Sequence, residues 1–493
     1  MKRIIIILLL VFIYCNGNVF SQNNPDLKRT WHWYFGDKAG LDFSSGTPVV
    51  DMNGQMSEWL GTTTMSDTSG NLLFYTEGIS VWNKNHQIMP NGTNLCGLYG
   101  SANPMQIIAV PKPDNNNIYY VFSGERDSIL GHGKWVYSII DMSQQGGLGD
   151  VISLQNFLLY DPCAKITAVK HKNGIDIWII VTKLFTNSFY SYLLTNTGIN
   201  LTPVISNIGV TDNHGGGYLK ASPNGKKLAC AISPLTIPEI LDFDNATGVV
   251  SNPIVFPSCN CSVFGLQFSR DNKKLYATTH YFGLMPYTAG GAIYQINLDG
   301  DSSAIVNSKL LIDTMAVNDT ITHNGNLGLS TTPQIASDGK IYMSINDTPY
   351  LGVINNPNIL GSGCSYQYNA IYLNGRINSD GMPDFISSYF YIDTTTGINE
   401  RIINNEIIKV YPNPIINNAI IEISDYNKDI KRINVELYDV IEKKYNIDYS
   451  DISDDDKVLK LLISTGALFS GIYLLKVTVN QNIYSQKIII TKN

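Results

Sequence analysis

Ala221-Ser222-Pro223-Asn224-Gly225-Lys226-Lys227-Leu228-Ala229 is the stretch on which the fold turns. Asn224 tolerates the left-handed conformation and hydrogen-bonds its own backbone, while Gly225 takes a positive φ, so the segment closes a tight hairpin between two strands. The pattern returns. Phe268-Ser269-Arg270-Asp271-Asn272-Lys273-Lys274 leads into Leu275-Tyr276-Ala277, and Ala336-Ser337-Asp338-Gly339-Lys340 leads into Ile341-Tyr342-Met343. Earlier, Ser66–Asn71 precedes Leu72-Leu73-Phe74-Tyr75, and Lys112–Asn117 precedes Ile118-Tyr119-Tyr120-Val121-Phe122. A divergent copy is Lys172-Asn173-Gly174 before Ile175-Asp176-Ile177-Trp178. A further strand with a polar end usually follows, as in Ile240-Leu241-Asp242-Phe243-Asp244 or Gly291–Asn297.

The turns recur at roughly 45 to 65 residues, the length of a four-stranded propeller blade with some long loops. Trp31 to Tyr391 covers about 360 residues, which at about 50 per blade gives seven. The seventh blade is expected to close by joining Trp33-Tyr34-Phe35 to the last strands near Tyr389-Phe390-Tyr391, which removes exposed sheet edges. A pair of β-sandwiches is the alternative. Composition supports an all-β chain: 29 Tyr favour pleated surfaces and 41 Gly supply turns. With 44% hydrophobic and 15% charged residues, the 493-residue chain is globular and long enough for two or three domains.

Further blocks carry a resemblance. These are Trp33–Phe43, Leu73–Gly78 with Val81-Trp82-Asn83, Met89-Pro90-Asn91-Gly92, Tyr137–Met142 with Gly146–Val151, Tyr350–Pro357 and Gly381-Met382-Pro383-Asp384-Phe385. Together they make residues 31–391 similar to large secreted proteins of gliding and related bacteria. The resemblance implies a WD-repeat-like propeller body and assigns it no activity.

The N-terminus reads as a secretory signal: Lys2 and Arg3, the apolar run Ile4–Ile13, then a small residue, Ser21, before a cut at Gln22. That run is too short to span a bilayer, and no later segment approaches 18 consecutive apolar residues, so no transmembrane anchor is expected. Tyr14 before Cys15 is too bulky for a lipid-attachment signal. Cleavage removes two basic residues and no acid, turning the net charge of −7 into −9. Nothing basic is clustered, so nucleic acid is not an expected partner. Six cysteines would remain: Cys96, Cys163, Cys230, Cys259, Cys261 and Cys364. In an exported chain they permit sparse disulfides without fixing their connectivity.

Composition shifts after Tyr391. Asp393–Glu400 is short and polar, and Ile407-Ile408-Lys409-Val410-Tyr411-Pro412-Asn413-Pro414 is a strand broken by two prolines. Alternating strands follow, among them Ala419–Ile423, Ile433–Asp439 and Gly471–Val477, ending in Lys487-Ile488-Ile489-Ile490. This length and pattern make a small Ig-like sandwich. Tyr411, Pro412, Asn413, Pro414, Gly471 and Tyr473, with the closing strand, resemble the type A sorting domain of the type IX secretion system. The resemblance implies transport of the folded cargo across the outer membrane and later removal of the tail. Asp451–Asp456 departs from that pattern and reads as a solvated loop.

A search for chemistry returns little. No two of the seven histidines lie within four residues of each other, and there is no His-Glu-x-x-His, Gly-x-Ser-x-Gly or Walker-type loop. Cys259-Asn260-Cys261 lacks the second pair of a structural zinc site. Asp114–Asn117 and Asp242–Asp244 read as turns, with structural calcium as the alternative. His214-Gly215-Gly216-Gly217-Tyr218 is a flexible approach to a strand, and His32 and His280 are candidates to face the channel. Paired carboxylates drawn from different blades would leave no linear trace.

The expectation is therefore a signal peptide at 1–21, a propeller-like domain at 22–391, a linker at 392–408 and a sorting domain at 409–493. No catalytic residue, metal ligand or cofactor is assigned. The chain is expected outside the cell or on its surface, with the type IX machinery and an unknown protein or glycan ligand as partners. The rival is a polysaccharide hydrolase or lyase with acids at the propeller mouth.

Overall fold

The computed structural model describes residues 24–96, 106–126, 133–232, 238–257, 262–280, 291–314, 331–392, 408–424, 433–439, 444–453, 458–466, 468–479 and 482–492. The signal segment, Cys259–Cys261 and nearly all of the linker lie outside them. The chain divides into two compact units, Met1–Ile392 and Asp393–Asn493.

Among the described residues of the first unit the strands form seven antiparallel sheets in chain order. Blade 1 holds β1 (His32–Phe35), β2 (Ala39–Asp42) and β3 (Val49–Val50). Blade 2 holds β4 (Thr63–Ser66), β5 (Leu72–Thr76) and β6 (Val81–Asn83). Blade 3 is β7 (Ile108–Pro111), β8 (Ile118–Arg126), β9 (Gly133–Asp141) and β10 (Asp150–Tyr160). Blade 4 is β11 (Pro162–Lys170), β12 (Ile177–Lys183) and β13 (Thr186–Thr195), with β14 (Gly198–Ile199) and β15 (Val204–Asp212) both on β13. Blade 5 is β16 (Leu219–Ala221), β17 (Lys227–Cys230), β18 (Glu239–Asp244) and β19 (Val249–Ile254). Blade 6 is β20 (Ser262–Phe268), β21 (Lys274–His280), β22 (Ala292–Asn297) and β23 (Leu310–Thr314). Blade 7 is β24 (Pro333–Ile335), β25 (Ile341–Met343), β26 (Tyr350–Ile354) and β27 (Tyr366–Tyr372).

The hydrophobic clusters lie between these sheets, which is how a propeller buries its apolar faces. Tyr34, Met56 and Tyr75 join blades 1 and 2. Phe74 and Val121 share a cluster between blades 2 and 3, and Val110 and Ile179 share the next. Trp178 packs with Leu228 between blades 4 and 5, and Ala229 with Leu266 between blades 5 and 6. Trp33, Ile293 and Ile341 then share a cluster that joins blade 6 to blade 7 and blade 7 back to blade 1. The ring is closed, and the fold is a β-propeller.

The repeated turns carry the chemistry expected of them. Gly70, Gly174, Gly225 and Gly339 have φ of 94°, 76°, 68° and 84°, and Asn272 takes the same role at 64°. Asn224, Asp271 and Asp338 each accept a backbone N–H two residues on. The lysine has a second use: Lys227, Lys274 and Lys340 reach Asp242, Asn297 and Asn355, the polar ends of the next strands. Successive turns also touch: Asn224 N–H donates to Asn272, and Arg270 donates to the carbonyls of Ala336 and Ser337.

Closure differs in detail from the expected joining of strands. Blade 1 has three ladder strands among the described residues, and residues 377–390 return beside blades 1 and 2 with few backbone bonds. Asp37 pairs with Ile377, and Thr62 with Pro383 in parallel. A proline in this segment cannot donate to a ladder, so packing and side chains hold it instead.

The described residues of the second unit form two four-stranded sheets. One is ordered β28 (Ile408–Tyr411), β29 (Asn418–Ser424), β33 (Val458–Ser464) and β32 (Tyr449–Asp451). The other is ordered β31 (Lys444–Asn446), β30 (Ile433–Asp439), β34 (Gly471–Val479) and β35 (Asn482–Ile490). Ile421, Leu461, Leu475 and Ile488 share the core between them, as in an Ig-like sandwich. No described helix is long and apolar enough to cross a membrane.

Candidate functional site

The centre of the propeller is occupied by its own chain. Asp384 is buried and pairs with the Lys220 ammonium from β16, which also donates to Gln334 of β24 at 2.8 Å. Gln106, just before β7, donates to the same carboxylate at 3.3 Å and accepts the N–H groups of Leu219 and Ile166. Lys220 and Gln106 thus tie inner strands of blades 4, 5 and 7 to this one carboxylate. Thr63 adds a hydrogen bond to the Asp384 carbonyl at 2.7 Å. Burial, acting against Lys220 and Gln106, pushes the Asp384 carboxyl above the usual carboxylate range. Gly381 admits this threading, because a Cβ there would lie 1.6 Å from the Leu60 carbonyl oxygen.

The two ends of the ring differ. The repeated turns occupy one end. At the other, where the inner strands begin, Trp59, Phe157, Tyr160, Phe185 and Tyr372 expose 45 to 66% of their surface. Phe157 and Tyr160 lie 4.3 Å apart by ring centroid, and Trp59 Nε1 donates to Asp380 at 3.0 Å. Glu77 lies at the same end. Burial, with Glu58 nearby adding to it, pushes its carboxyl up to about 8.

A narrow cleft lies between blades 4 and 5 at this end and is lined by Thr186, Asn187, Ser188, Asp212, Cys230 and Glu239 among others. Behind it, the fully buried Lys165 pairs with Asp212. Burial would raise the Asp212 carboxyl, but the Lys165 ammonium and the N–H groups of Gly215 and His214 hold it below its ordinary value. Among the described residues Glu239 accepts only from the Val210 N–H, at 3.2 Å, and burial pushes its carboxyl up to about 7. Cys163 and Cys230 are free thiols, raised by burial.

In the tail, three of the six motif residues, Asn413, Gly471 and Tyr473, meet one strand, β35. Asn413 donates to the Lys487 carbonyl at 3.2 Å and accepts the Ile489 N–H at 2.8 Å. Ile415 N–H then bonds to the Ile489 carbonyl at 2.7 Å, so the Pro412-Asn413-Pro414 loop covers the outer edge of β35. On the opposite edge Gly471 pairs with Ile490, and Tyr473 with Ile488. The Tyr473 ring is buried and its hydroxyl donates to the Phe469 carbonyl at 3.1 Å. The Tyr411 hydroxyl donates to Glu422 at 2.9 Å. Gly471 has no steric reason to be glycine, since a Cβ there would meet only Tyr473 at 3.5 Å.

The other sequence candidates sit elsewhere. His32 contacts the Gly70 carbonyl at the turn end, away from the exposed aromatics. The side chain of His280 lies outside the described residues. His214 and Gly215 donate their N–H groups to Asp212, and Tyr218 is buried, so that segment is a packed connection between blades 4 and 5. Asp242 bonds Lys227 and Asn252, and Asp244 caps Ala246 and Thr247. Sequence reasoning missed the axial cluster, the rim of aromatics and the cleft. The Gly381–Phe385 block was visible as a motif, without its partners.

Residues 409–491 match the secretion system C-terminal sorting domain. No curated protein matches the chain. Among solved structures, Kuenenia stuttgartiensis hydrazine synthase is 12% identical over 76% of this chain and 94% of its own, with a TM-score of 0.36. A functionally unknown protein from Desulfotomaculum acetoxidans DSM 771 is 12% identical over 72% and 99%, at 0.38. Kluyveromyces lactis Hsv2 is 10% identical over 66% and 90%, at 0.35. With scores this low, the fold stands on its own sheet order and clusters. The tail is a type IX sorting domain, which marks the chain for export across the outer membrane.

Proposed function

We propose that this exported chain acts at the cell surface or beyond it as a non-enzymatic binding protein, its propeller presenting one face to a protein or glycan ligand. The observation that supports the reading is the asymmetry of the ring. Five large aromatic side chains stand exposed at the end where the inner strands begin, and exposed rings of this kind mark interaction sites. In the tail, Asn413, Gly471 and Tyr473 hold β35 in place and Tyr411 ties its own strand to Glu422, and this preserves the surface that the secretion machinery meets.

The test is binding of the purified full chain to whole cells and to a glycan array. Replacing Trp59, Tyr160 and Tyr372 together by Ala should abolish the strongest signal, and replacing Ile175 and Val249 at the turn end should leave it unchanged. The opposite pattern would place the ligand on the other face.

One observation favours the hydrolase or lyase reading: Glu77, held protonated near neutrality, sits with Glu58 close to the exposed Trp59. Under that reading the full chain shortens a polysaccharide, and Glu77→Gln stops it.

A further inference from the structure

We propose that the outward face of the sorting tail around Ile472 and Ile489 is the surface by which the type IX machinery takes hold of this chain. The proposal rests on the tail being a sorting domain, and it names the face that is recognised.

Side chains along a strand alternate between the two faces of its sheet. In β34 and β35 the inward set is Tyr473, Leu475, Ile488 and Ile490, all buried in the core of the sandwich. Ile472 and Ile489 therefore point outward. They stand directly opposite each other in the ladder, 45% and 36% exposed. Ile415 is buried and pairs with Ile490 along the far edge of β35, which turns Ile416 outward beside them at 51% exposed.

Phe469, just before β34, exposes 82% of its surface. Its segment is fastened to the same end of the sheet. The Phe469 carbonyl accepts the Tyr473 hydroxyl, and Ser470 accepts the Lys492 N–H at 2.8 Å. The Lys492 ammonium in turn donates to the carbonyls of Ile416 and Thr465. Four large uncharged side chains are thus held at one end of one sheet, and such groupings on a protein surface mark contact sites.

Two residues of the sorting motif point to the occupant. Asn413 fixes its loop against β35 at Lys487 and Ile489, so the loop frames the patch on that side. Gly471 lies between Phe469 and Ile472, and the fold does not require it. Its φ is not left-handed, and a Cβ would meet only the Tyr473 ring, in ordinary contact at 3.5 Å. A motif glycine that packing leaves free is explained by a partner that passes close over its backbone.

The tail matches a secretion-system sorting domain, so that partner is a protein of the export system with an apolar surface of its own. A second copy of the chain is a poorer occupant. Four partly exposed side chains offer on the order of a few hundred Å², short of the roughly 800 Å² per partner of a stable dimer. An area of that size suits a cargo that is held briefly and then released.

The experiment is secretion of the full chain carrying Phe469→Ser, Ile472→Thr and Ile489→Thr together, in a bacterium with a working type IX system. The secreted amount should fall roughly tenfold or more, with the uncleaved chain held in the periplasm and the urea midpoint of the tail unchanged. Gly471→Ala, which fits the fold, should also lower secretion. Leu462→Thr, on the outward side of the other sheet, should not. A benzophenone amino acid at position 469 should crosslink in living cells to an outer-membrane component of the type IX system. Normal secretion of the triple variant would overturn the proposal, as would crosslinks only to lipid or to a second copy. So would retention that comes with a lowered urea midpoint and is absent from Gly471→Ala. If the triple variant is exported normally while a chain ending at Ile398 is retained, this face falls and the tail remains the address. If the shortened chain is exported too, the sorting reading itself fails.

Discussion

Asp384 and Lys220 meet in the middle of the propeller with hardly any water to solvate them. Removing one partner of such a pair leaves an uncompensated buried charge and costs about 3–5 kcal/mol. Lys220→Met should therefore lower the urea midpoint of the body sharply, and Lys220→Met with Asp384→Leu should recover most of the loss. A double variant no more stable than the single one would assign the stability to the segment's packing instead. Glu239 makes a second residue-level prediction. Its folded carboxyl titrates at about 7 against an ordinary 4.5, so the folded state holds the proton more tightly than the unfolded chain. Its stabilising contribution is complete below 4.5 and lost as pH rises to 7, up to about 3 kcal/mol at roughly 1.4 kcal/mol per unit. Glu239→Gln should gain stability over the parent at pH 8 and little at pH 4. Equal gains at both would mean that Glu239 does not titrate in this range.

The hairpin turns and the sorting loop show what an element can reveal before it folds. Asn224-Gly225, Asp271-Asn272 and Asp338-Gly339 were legible because the chemistry of a tight turn is local, spanning a few residues. The lysine of the repeat was seen but not explained, since its partner sits on the next strand, 15 to 23 residues away. The sorting motif was legible as residues and illegible as geometry, because Asn413 works on a strand 74 to 76 residues further on. Asn413→Ala removes both bonds to β35 at about 1 kcal/mol each. The tail should open at lower denaturant than the parent, and the secreted yield should fall with it. An unchanged yield with a loosened tail would separate the fold of the domain from its recognition.

For the molecule as a whole, the repeat predicted a closed ring, and the clusters between neighbouring blades show one. What no repeat could convey is how the ring is sealed. The axial contacts join residues 164 and 278 positions apart, and the aromatic rim is assembled from connections that share no sequence pattern. The propeller body and the sorting tail are separate compact units, and the tail carries the address. The most direct measurement is secretion of the full chain against a version ending at Ile398, in a bacterium with a working type IX system. The full chain should reach the medium or the cell surface shortened by the mass of its tail, and the truncated chain should stay in the periplasm. If both reach the same place, the tail is not the address, and it must be counted as part of the working molecule.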